Sequence, residues 1–438
     1  MALLSATADL SHRLVSPTIR RLTNGLTIIA EQMPLEVVNL SLWLRVGSAI
    51  ESDGINGMAH FLEHMLFKGT HELPCGEFER LVEERGAVTN AATSQDYTKY
   101  YITTAPQDFA ALAPLQIQMV LNPRLSDADF ERERPVILEE IRRADDNPRR
   151  RTYARSMEMA FERLPYRRPV LGTSEVIAAL SPEQMRDFHH TWYQPQSITA
   201  VVVGNLPVEE LVAIVAEGFD QTTAQRGYQS RPRIEQFKPF VDFDLEPPFQ
   251  TVRRATHSDL TLTQARLSML WRVPGIVDLP DTYALDILAS VLGRGRTSRL
   301  VRDLREDRKL VSSIGCSNMT LAYQGVFMVS ARLDSEHLPA VEAAILEHIR
   351  TIAQAPVSPV ELRRVQTQAT NRFIFANETP SDRAGLYGYY HTLTGNIDDG
   401  IAYPSRIQQL DEADLQVAAQ QYLSDDAYGL VVIQPDSQ

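Results

Sequence analysis

Cysteine is scarce in this chain of 438 residues, which contains only Cys75 and Cys316. Two thiols are too few for a disulfide framework or for a zinc site built from thiolates. The expected location is therefore a reducing compartment, either the cytoplasm or the matrix or stroma of an organelle. Long apolar runs are also missing: no stretch of about twenty consecutive apolar residues occurs, so the sequence predicts no membrane-spanning helix.

Positive charge is in the minority, since 43 Lys and Arg residues stand against 56 Asp and Glu and give a net charge of -13. This balance argues against phosphate-driven binding to nucleic acids and against an anionic membrane surface. It would suit a basic partner or substrate, although an acidic surface that keeps the protein soluble is the simpler explanation.

The length exceeds that of one ordinary hydrophobic core, and the second half of the sequence repeats the order of the first. For example, "ARLSMLWRVPG" in the second half is similar to "LSLWLRVGS" in the first. We therefore expect an α+β protein of two homologous halves, each an antiparallel sheet with helices packed on it. The expected divisions are a flexible N-terminus at 1–17, a first domain at 18–220, a linker rich in proline, glutamine and charge at 221–258, and a second domain at 259–438.

The segment "HFLEH", residues 60–64, places two histidines and a glutamate within five positions. The apolar pattern around it predicts a helix, in which His60 and His64 lie one turn apart on one face and can bind one ion. Nitrogen ligands of this kind suit zinc. Glu63 lies beside the pair, within reach of a metal-bound water, and the order is that of an inverted zinc-peptidase motif. The simpler alternative is a solvated helix face.

A catalytic zinc site needs a third protein ligand. The predicted helix at 127–146 offers Glu131, Glu133, Glu139 and Glu140. Glu133 and Glu140 are seven residues apart and share a face, whereas Glu139 lies about 100° away. Helix geometry thus favours a pair without deciding which member binds the metal. For any one of these glutamates alone, a charge on an exposed helix would be the simpler explanation.

Over nearly its whole length the sequence resembles the zinc peptidases that include pitrilysin, insulin-degrading enzyme and the mitochondrial processing peptidase. The segment "HFLEHMLFKGT" is closest to the short-subunit, processing-peptidase-like branch. The resemblance implies a zinc metalloendopeptidase with one Zn²⁺ per chain, held by His60, His64 and Glu140. It also implies that Glu63 is the general base and that Glu133 supports the catalytic site.

The two halves differ at this motif. In the repeat register, the first-half residues His60, Glu63 and His64 align with Asp286, Ala289 and Ser290. The metal chemistry is therefore expected only in the first half.

The same resemblance implies how a peptide substrate is held. The segment "GAVTNAATSQDYTKYY" resembles the family's edge strand, which pairs with the peptide backbone, and Asn90 and Ala91 match its contact positions. The family's second domain supplies an arginine and, seven residues later, a tyrosine. Here Arg305 is kept, but Ser312 replaces the tyrosine, and Tyr323 is a nearby substitute. From the residues alone, the first segment is an ordinary hairpin and Arg305 a surface residue.

Because short-subunit members enclose one chamber with two chains, we expect a dimer. It is either a homodimer or a heterodimer whose related, metal-free subunit supplies the arginine and tyrosine, and we favour the second for full activity. The expected substrates are short or extended peptides or targeting sequences, and the acidic balance favours basic ones. Two alternatives are a non-catalytic scaffold subunit and a peptide-binding subunit that keeps the metal but turns over poorly.

Three other conspicuous groups receive simpler interpretations. His71 follows the motif and is expected to be a surface residue. The basic cluster Pro148–Arg151 is expected to be a solvated turn. The segment "GRGRTSR", Gly293–Arg299, lacks the spacing of a phosphate-binding loop.

Overall fold

The computed structural model describes residues 16–225 and 243–436. The chain folds into two compact units, and neither is continuous in sequence. The described residues of the first unit fall within 1–142, 169–241 and 374–402, and those of the second within 143–168, 242–373 and 403–438. Each unit thus includes a segment from the other half of the sequence. Much of the expected linker, residues 226–242, lies outside the described residues.

Within the described residues, six strands form the sheet of the first unit: β1 (Thr18–Arg21), β2 (Thr27–Gln32), β3 (Val38–Leu44), β4 (Val88–Thr93), β5 (Thr98–Thr104) and β6 (Ile198–Gly204). Their spatial order is β1-β2-β6-β3-β5-β4, which places β4 at one edge. Neighbouring strands are antiparallel except β2 and β6, which are parallel. The interior strand β3 is buried along its whole length, as its apolar sequence requires.

The second unit has a five-stranded sheet within the described residues: β7 (Arg253–Asp259), β8 (Ala265–Pro274), β9 (Ser313–Met319), β10 (Gln324–Leu333) and β11 (Gly429–Pro435). The spatial order is β7-β11-β8-β10-β9. Again one pair, β7 with β11, is parallel and the others are antiparallel. The two sheets therefore share a design, which is consistent with the duplication that the sequence predicts.

Helices connect and cover these strands. In chain order they are α1 (Met58–Leu66), α2 (Glu77–Glu83), α3 (Pro106–Leu121), α4 (Asp127–Asp146), α5 (Pro148–Ala160), α6 (Ser174–Ala179), α7 (Pro182–Trp192), α8 (Val208–Gln225), α9 (Leu279–Gly293), α10 (Leu338–Gln354), α11 (Pro359–Phe375), α12 (Pro380–Thr394), α13 (Asp398–Ile401), α14 (Tyr403–Gln409) and α15 (Glu412–Tyr422). A π-helical segment covers Val301–Asp307. None of the helices in the described part of the chain combines the length and the apolar character needed to cross a membrane.

Helix α12 covers one face of the first sheet although it comes from the second half of the sequence. Trp43 on β3 packs so closely against Gly388 that an added Cβ would lie 2.1 Å from the indole nitrogen. Beside it, a buried ion pair joins Arg383 to Glu31 on β2 at 2.9 Å, and the Tyr387 hydroxyl donates to the same carboxylate at 2.9 Å. A buried charge pair that is also hydrogen-bonded avoids the cost of an isolated buried charge.

Helix α5 is the opposite case: it comes from the first half of the sequence but packs on β8 and β11 of the second sheet. The expectation of a turn at Pro148–Arg151 is wrong, because these residues begin helix α5, whereas the expected solvent exposure is found at Arg149 and Arg150. Asn147 caps the helix by accepting hydrogen bonds from the backbone N–H groups of Arg149 and Arg150, and Pro148 occupies the first helical position. Proline is tolerated there since the missing N–H would have no helical partner.

The expected fold class is confirmed, with two sheets that each carry packed helices. The helices predicted at the histidine motif and at 127–146 are also found, as α1 and α4. The description of the sheets as antiparallel needs one correction, since each contains a parallel pair.

Candidate metal centre

Helix α1 is held at its N-terminus by a buried carboxylate. Glu51 accepts hydrogen bonds from the backbone N–H groups of Gly57 at 2.8 Å and Ala59 at 2.7 Å, and from the Asn56 side chain at 2.9 Å. Gly57 has a φ of +95°, and a Cβ there would lie 2.5 Å from the carbonyl oxygen of Leu171. A negative group at this end also complements the helix dipole. The start of the histidine-bearing helix is therefore fixed by its surroundings.

The buried face of α1 brings α4 close to the histidines. Phe61 on α1 stacks on Phe130 of α4 with ring centroids 4.5 Å apart, and both rings are fully buried. Glu133 and Glu140 follow Phe130 by about one and three turns of the same helix, so they lie on the face of α4 that packs on α1. Apolar packing thus positions the polar site.

Three side chains converge on one point. The Nε2 atoms of His60 and His64 lie 3.7 Å and 3.5 Å from the same carboxylate oxygen of Glu140. One ligand atom from each of the three lies within 4.8 Å of the other two, and no other such trio of His, Cys, Asp or Glu occurs in the described residues. Tetrahedral zinc ligands lie roughly 3.4 Å apart when each is about 2.1 Å from the ion. The donor set and its spacing therefore fit zinc.

Glu133 occupies the other side of His64. One of its carboxylate oxygens lies 3.0 Å from the His64 Nδ1 atom, and the other lies 2.7 Å from the Nζ atom of Lys68. An imidazole whose Nδ1–H donates to a carboxylate keeps its Nε2 lone pair free for a metal. Glu133 thus fixes the orientation of the His64 ring from the side opposite its Nε2 atom.

Glu63 lies next to the trio without joining it. Its carboxylate accepts a short hydrogen bond from the hydroxyl of Thr93, the last residue of β4. Burial raises the pKa of the Glu63 carboxyl above its ordinary value, while the Thr93 hydrogen bond and the nearby His64 partly offset this effect. A raised pKa is typical of carboxyl groups that accept and return protons near neutral pH.

Asn90 and Ala91 lie on β4, which is the edge strand of the first sheet within the described residues. The Asn90 side-chain oxygen accepts a hydrogen bond from the backbone N–H of Ala91 at 2.8 Å. An edge strand presents backbone groups that an extended peptide can pair with. The same strand ends at Thr93, so it connects this edge directly to Glu63.

Arg305, Ser312 and Tyr323 lie in the second unit. Arg305, in the π-helical segment, forms an ion pair with Glu306 at 2.6 Å. The Ser312 hydroxyl is exposed and bonds to Gln264 at 2.9 Å. Tyr323 is buried, with ring centroids 5.9 Å from Tyr166 and 5.2 Å from Phe243. Its ring belongs to the core of the second unit, which argues against Tyr323 as a substitute for the family tyrosine.

Three residues of the site were not predicted from the sequence: Glu51, Lys68 and Thr93. Lys68 and Glu133 are separated by 65 positions, and no local spacing links them. The signal that existed for Thr93 was its place at the end of the predicted edge strand. Glu51 had no signal, because the loop before α1 carries two acidic residues, Glu51 and Asp53, and nothing in the sequence distinguishes them.

Comparison with known proteins gives matches over most of the chain. Residues 27–174 match the family described as Insulinase (Peptidase family M16), and residues 179–369 match the one described as Peptidase M16 inactive domain. The zinc protease PqqE of Helicobacter pylori is 28% identical, with 94% of this chain and 92% of that protein aligned. An uncharacterized zinc protease of Mycobacterium leprae is 29% identical, with 94% and 91% aligned.

Solved structures agree on the fold. The crystal structure of a protease from Helicobacter pylori has a TM-score of 0.87 and 27% identity, covering 96% of this chain and 100% of that one. A peptidase M16 inactive domain from Pseudomonas fluorescens has a TM-score of 0.84 at 17% identity, covering 97% and 98%, and shows the fold alone. The two family matches adjoin and together take in most of the residues, so the chain is similar to peptidase family M16 over most of its length and is a homologue of proteins named zinc proteases.

Proposed function

We propose that the protein is a zinc-dependent endopeptidase of the short-subunit, processing-peptidase-like kind. The observation that carries this proposal is the convergence of His60, His64 and Glu140, with the half-buried carboxyl of Glu63 beside them. A scaffold protein would have no need to keep three zinc-type donors together with an adjacent carboxyl of raised pKa.

In this proposal zinc, when bound, supplies the Lewis acidity that activates water and polarises a peptide carbonyl. Glu63 takes the proton of the attacking water and returns it to the leaving amine. Thr93 fixes the Glu63 carboxylate through its hydrogen bond, and Glu133 fixes the ring of His64. Each group has one role, and no side chain both binds the metal and transfers the proton.

The substrate in this proposal is an unfolded peptide or targeting sequence that pairs with β4. Backbone pairing along Asn90 and Ala91 would carry the scissile bond toward Thr93 and Glu63, because the strand runs in that direction. We further propose that two chains enclose the chamber, either as a homodimer or with a related subunit. Arg305 would contact the peptide there, after leaving its ion pair with Glu306.

A peptidase assay on the purified chain tests the proposal. Zinc content is measured by elemental analysis, and turnover of an internally quenched peptide is followed with and without a chelator. We expect about one zinc per chain, turnover that the chelator abolishes, and recovery when zinc is returned.

The variant Glu63→Gln should keep its zinc and lose at least about a hundredfold in turnover, the usual range for removing a general base. Glu139→Gln is the matched control, because Glu139 lies beside the ligand Glu140 but forms an ion pair with Arg142. It should leave zinc content and turnover unchanged. A zinc-loaded wild-type chain without turnover, alone or mixed with a related subunit, would favour the peptide-binding subunit instead, and a chain that binds no zinc would favour the scaffold.

A further inference from the structure

An unusual collection of arginines lies at one end of the second sheet. Arg266 on β8 and Arg332 on β10 are direct cross-strand partners. Like charges placed directly opposite each other across two strands are destabilising. In a protein with a net charge of -13, this pairing is not a consequence of general composition.

Two further arginines come from the first turn of α5. Arg149 and Arg151 follow the helix cap Asn147, so they lie at the positive end of the helix dipole, where cations are unfavourable. Burial lowers the pKa of the Arg266 guanidinium, and the positive charges of Arg332, Arg151 and Arg149 lower it further. The four guanidinium groups therefore share one neighbourhood, which we call the arginine cluster.

Among the described residues, carboxylates balance this cluster only in part. Asp259 forms a short ion pair with Arg151, and its charge also acts on Arg266. Among the described residues no carboxylate lies within ion-pair distance of Arg149, Arg266 or Arg332. The Nε atom of Arg266 is buried without a hydrogen-bond partner.

A hydroxyl and a sheet edge adjoin the arginine cluster. The Ser312 Oγ atom accepts a hydrogen bond from Arg332 Nε at 2.9 Å. Ser312 directly precedes β9, which is one of the two edge strands of the second sheet within the described residues. Most residues of β9 are partly or fully exposed. An extended chain that paired with such an edge would bring its acidic groups to the arginines at the end of the strand.

We propose that the arginine cluster and Ser312 bind the carboxylate groups of acidic peptides. Arginine forks match carboxylates in charge and in planar geometry, and the bound anion would relieve the cross-strand repulsion. The proposal rests on the proposed peptidase function, since it names the substrate class. It also replaces the expectation of basic substrates, because local charge at a binding site outweighs the net charge of the whole protein.

Calorimetric titration of the zinc-loaded Glu63→Gln chain tests this site without turnover. The probes are a blocked peptide with two glutamates, its twin with two glutamines, and inorganic phosphate at the same ionic strength. We expect the glutamate peptide to bind at least about tenfold more tightly than its twin and than phosphate. Equal affinities for the two peptides would overturn the proposal. Phosphate that binds as tightly as the glutamate peptide would identify a site for free oxyanions and overturn it as well.

Substitution then locates the site. Adding Arg332→Gln should reduce the preference for the glutamate peptide to less than about threefold, whereas Arg350→Gln, at an exposed arginine of α10 paired with Asp425, should preserve it. A preference that survived both Arg332→Gln and Arg266→Gln would place the contact elsewhere. Thermal melting gives a second readout: because a like charge is removed, Arg332→Gln should not lower the melting temperature.

The two proposals fail separately. Tight binding of the glutamate peptide to a chain that never cleaves peptides would leave the arginine cluster standing and reject the peptidase. Zinc-dependent cleavage without any preference for the glutamate peptide would support the peptidase and reject the arginine cluster as a binding site.

Discussion

Helices α1 and α9 occupy equivalent places in the two sheets, each following the strand with the repeated tryptophan-containing sequence. On α1, His60 is buried and His64 is half-buried, and both meet a carboxylate from α4. On α9, the corresponding polar residue is Asp286, which accepts hydrogen bonds from Asn318 at 2.9 Å and from the Tyr403 hydroxyl at 3.2 Å.

The difference shows how one fold supports two uses of a buried polar position. In the second unit, neutral donors satisfy a single carboxyl group, and burial raises the pKa of Asp286 to about 6. In the first unit, three side chains with zinc-type ligand atoms face one another, an arrangement that suits a cation. The same place in the fold therefore carries a single buried carboxyl group in the second unit and a set of zinc-type ligand atoms in the first.

The largest expected effect comes from removing the third donor of the first unit. Glu140→Gln should reduce bound zinc well below one per chain and lower peptide turnover about a thousandfold, because an amide is a poor replacement for a charged ligand. Elemental analysis and the quenched-peptide assay measure the two quantities. Asp286→Asn, at the equivalent level of the second unit, serves as the control and should change neither.

The same Asp286→Asn variant should change stability in a pH-dependent way. The native carboxyl has a pKa of about 6 against 3.8 for the ordinary group, so the native state binds the proton more readily between these values. Wild-type stability from this group is full below about pH 4 and is lost as the pH rises through 6. The free energy of unfolding of the variant should therefore rise relative to that of the wild type by up to about 3 kcal/mol between pH 4 and pH 6.

Chemical denaturation at pH 4, 5, 6, 7 and 8 measures this difference. The gain of the variant should rise up to about pH 6 and then level off. If the difference in the free energy of unfolding stayed constant over the whole series, Asp286 would not titrate in this range, and its carboxyl group would not be protonated there in the native state.

The helix ends offer a third comparison. Glu51 caps α1 through three hydrogen bonds, whereas the N-cap of α9, Asp278, makes no side-chain cap. Glu51→Gln should destabilise the protein by about 2 kcal/mol, because a buried amide places donors against donors. Asp278→Asn, on the exposed counterpart, should cost less than about 0.5 kcal/mol. Urea denaturation measures the free energy of unfolding of both variants. Similar losses of stability in the two would contradict the capping role of Glu51.

The smallest expected effect concerns Lys68, which has ion-pair contact with Glu133 behind His64. Lys68→Met should weaken zinc binding about tenfold, since outer contacts of metal ligands typically matter by this amount. Competition with a chromogenic chelator measures the affinity, and Lys68→Arg should restore part of it. Unchanged affinity in Lys68→Met would show that Glu133 orients the histidine without help.

Much of the first unit could be predicted because its signals are local. The pattern of apolar residues gives α1 and α4, and the seven-residue spacing of Glu133 and Glu140 gives a shared helix face. Packing of Phe61 on Phe130 then separates the two roles, placing Glu140 between both histidines and Glu133 behind one of them. Helix periodicity contains no information about that packing, so it could not assign the ligand.

Contacts between distant parts of the sequence account for what was missed. Thr93 and Glu63 are 30 positions apart, and Arg383 and Glu31 are 352 apart. The basic segment at Pro148–Arg151 is expected to be a solvated turn, whereas the cap at Asn147 makes it the first turn of α5, whose later residues are buried where the helix packs on the second sheet. Tertiary packing overrode the local signal there.

Helices α5 and α12 each pack in the unit formed mainly by the other half of the sequence, and this has a consequence for synthesis at the ribosome. The face of the first sheet that carries Trp43 stays uncovered until α12, more than 300 residues later, has left the exit tunnel. During that interval the nascent chain exposes a flat apolar surface of the type that chaperones recognise. A gene fragment that stops before residue 374 should accordingly yield insoluble protein, and supplying the remaining segment in trans should rescue its solubility.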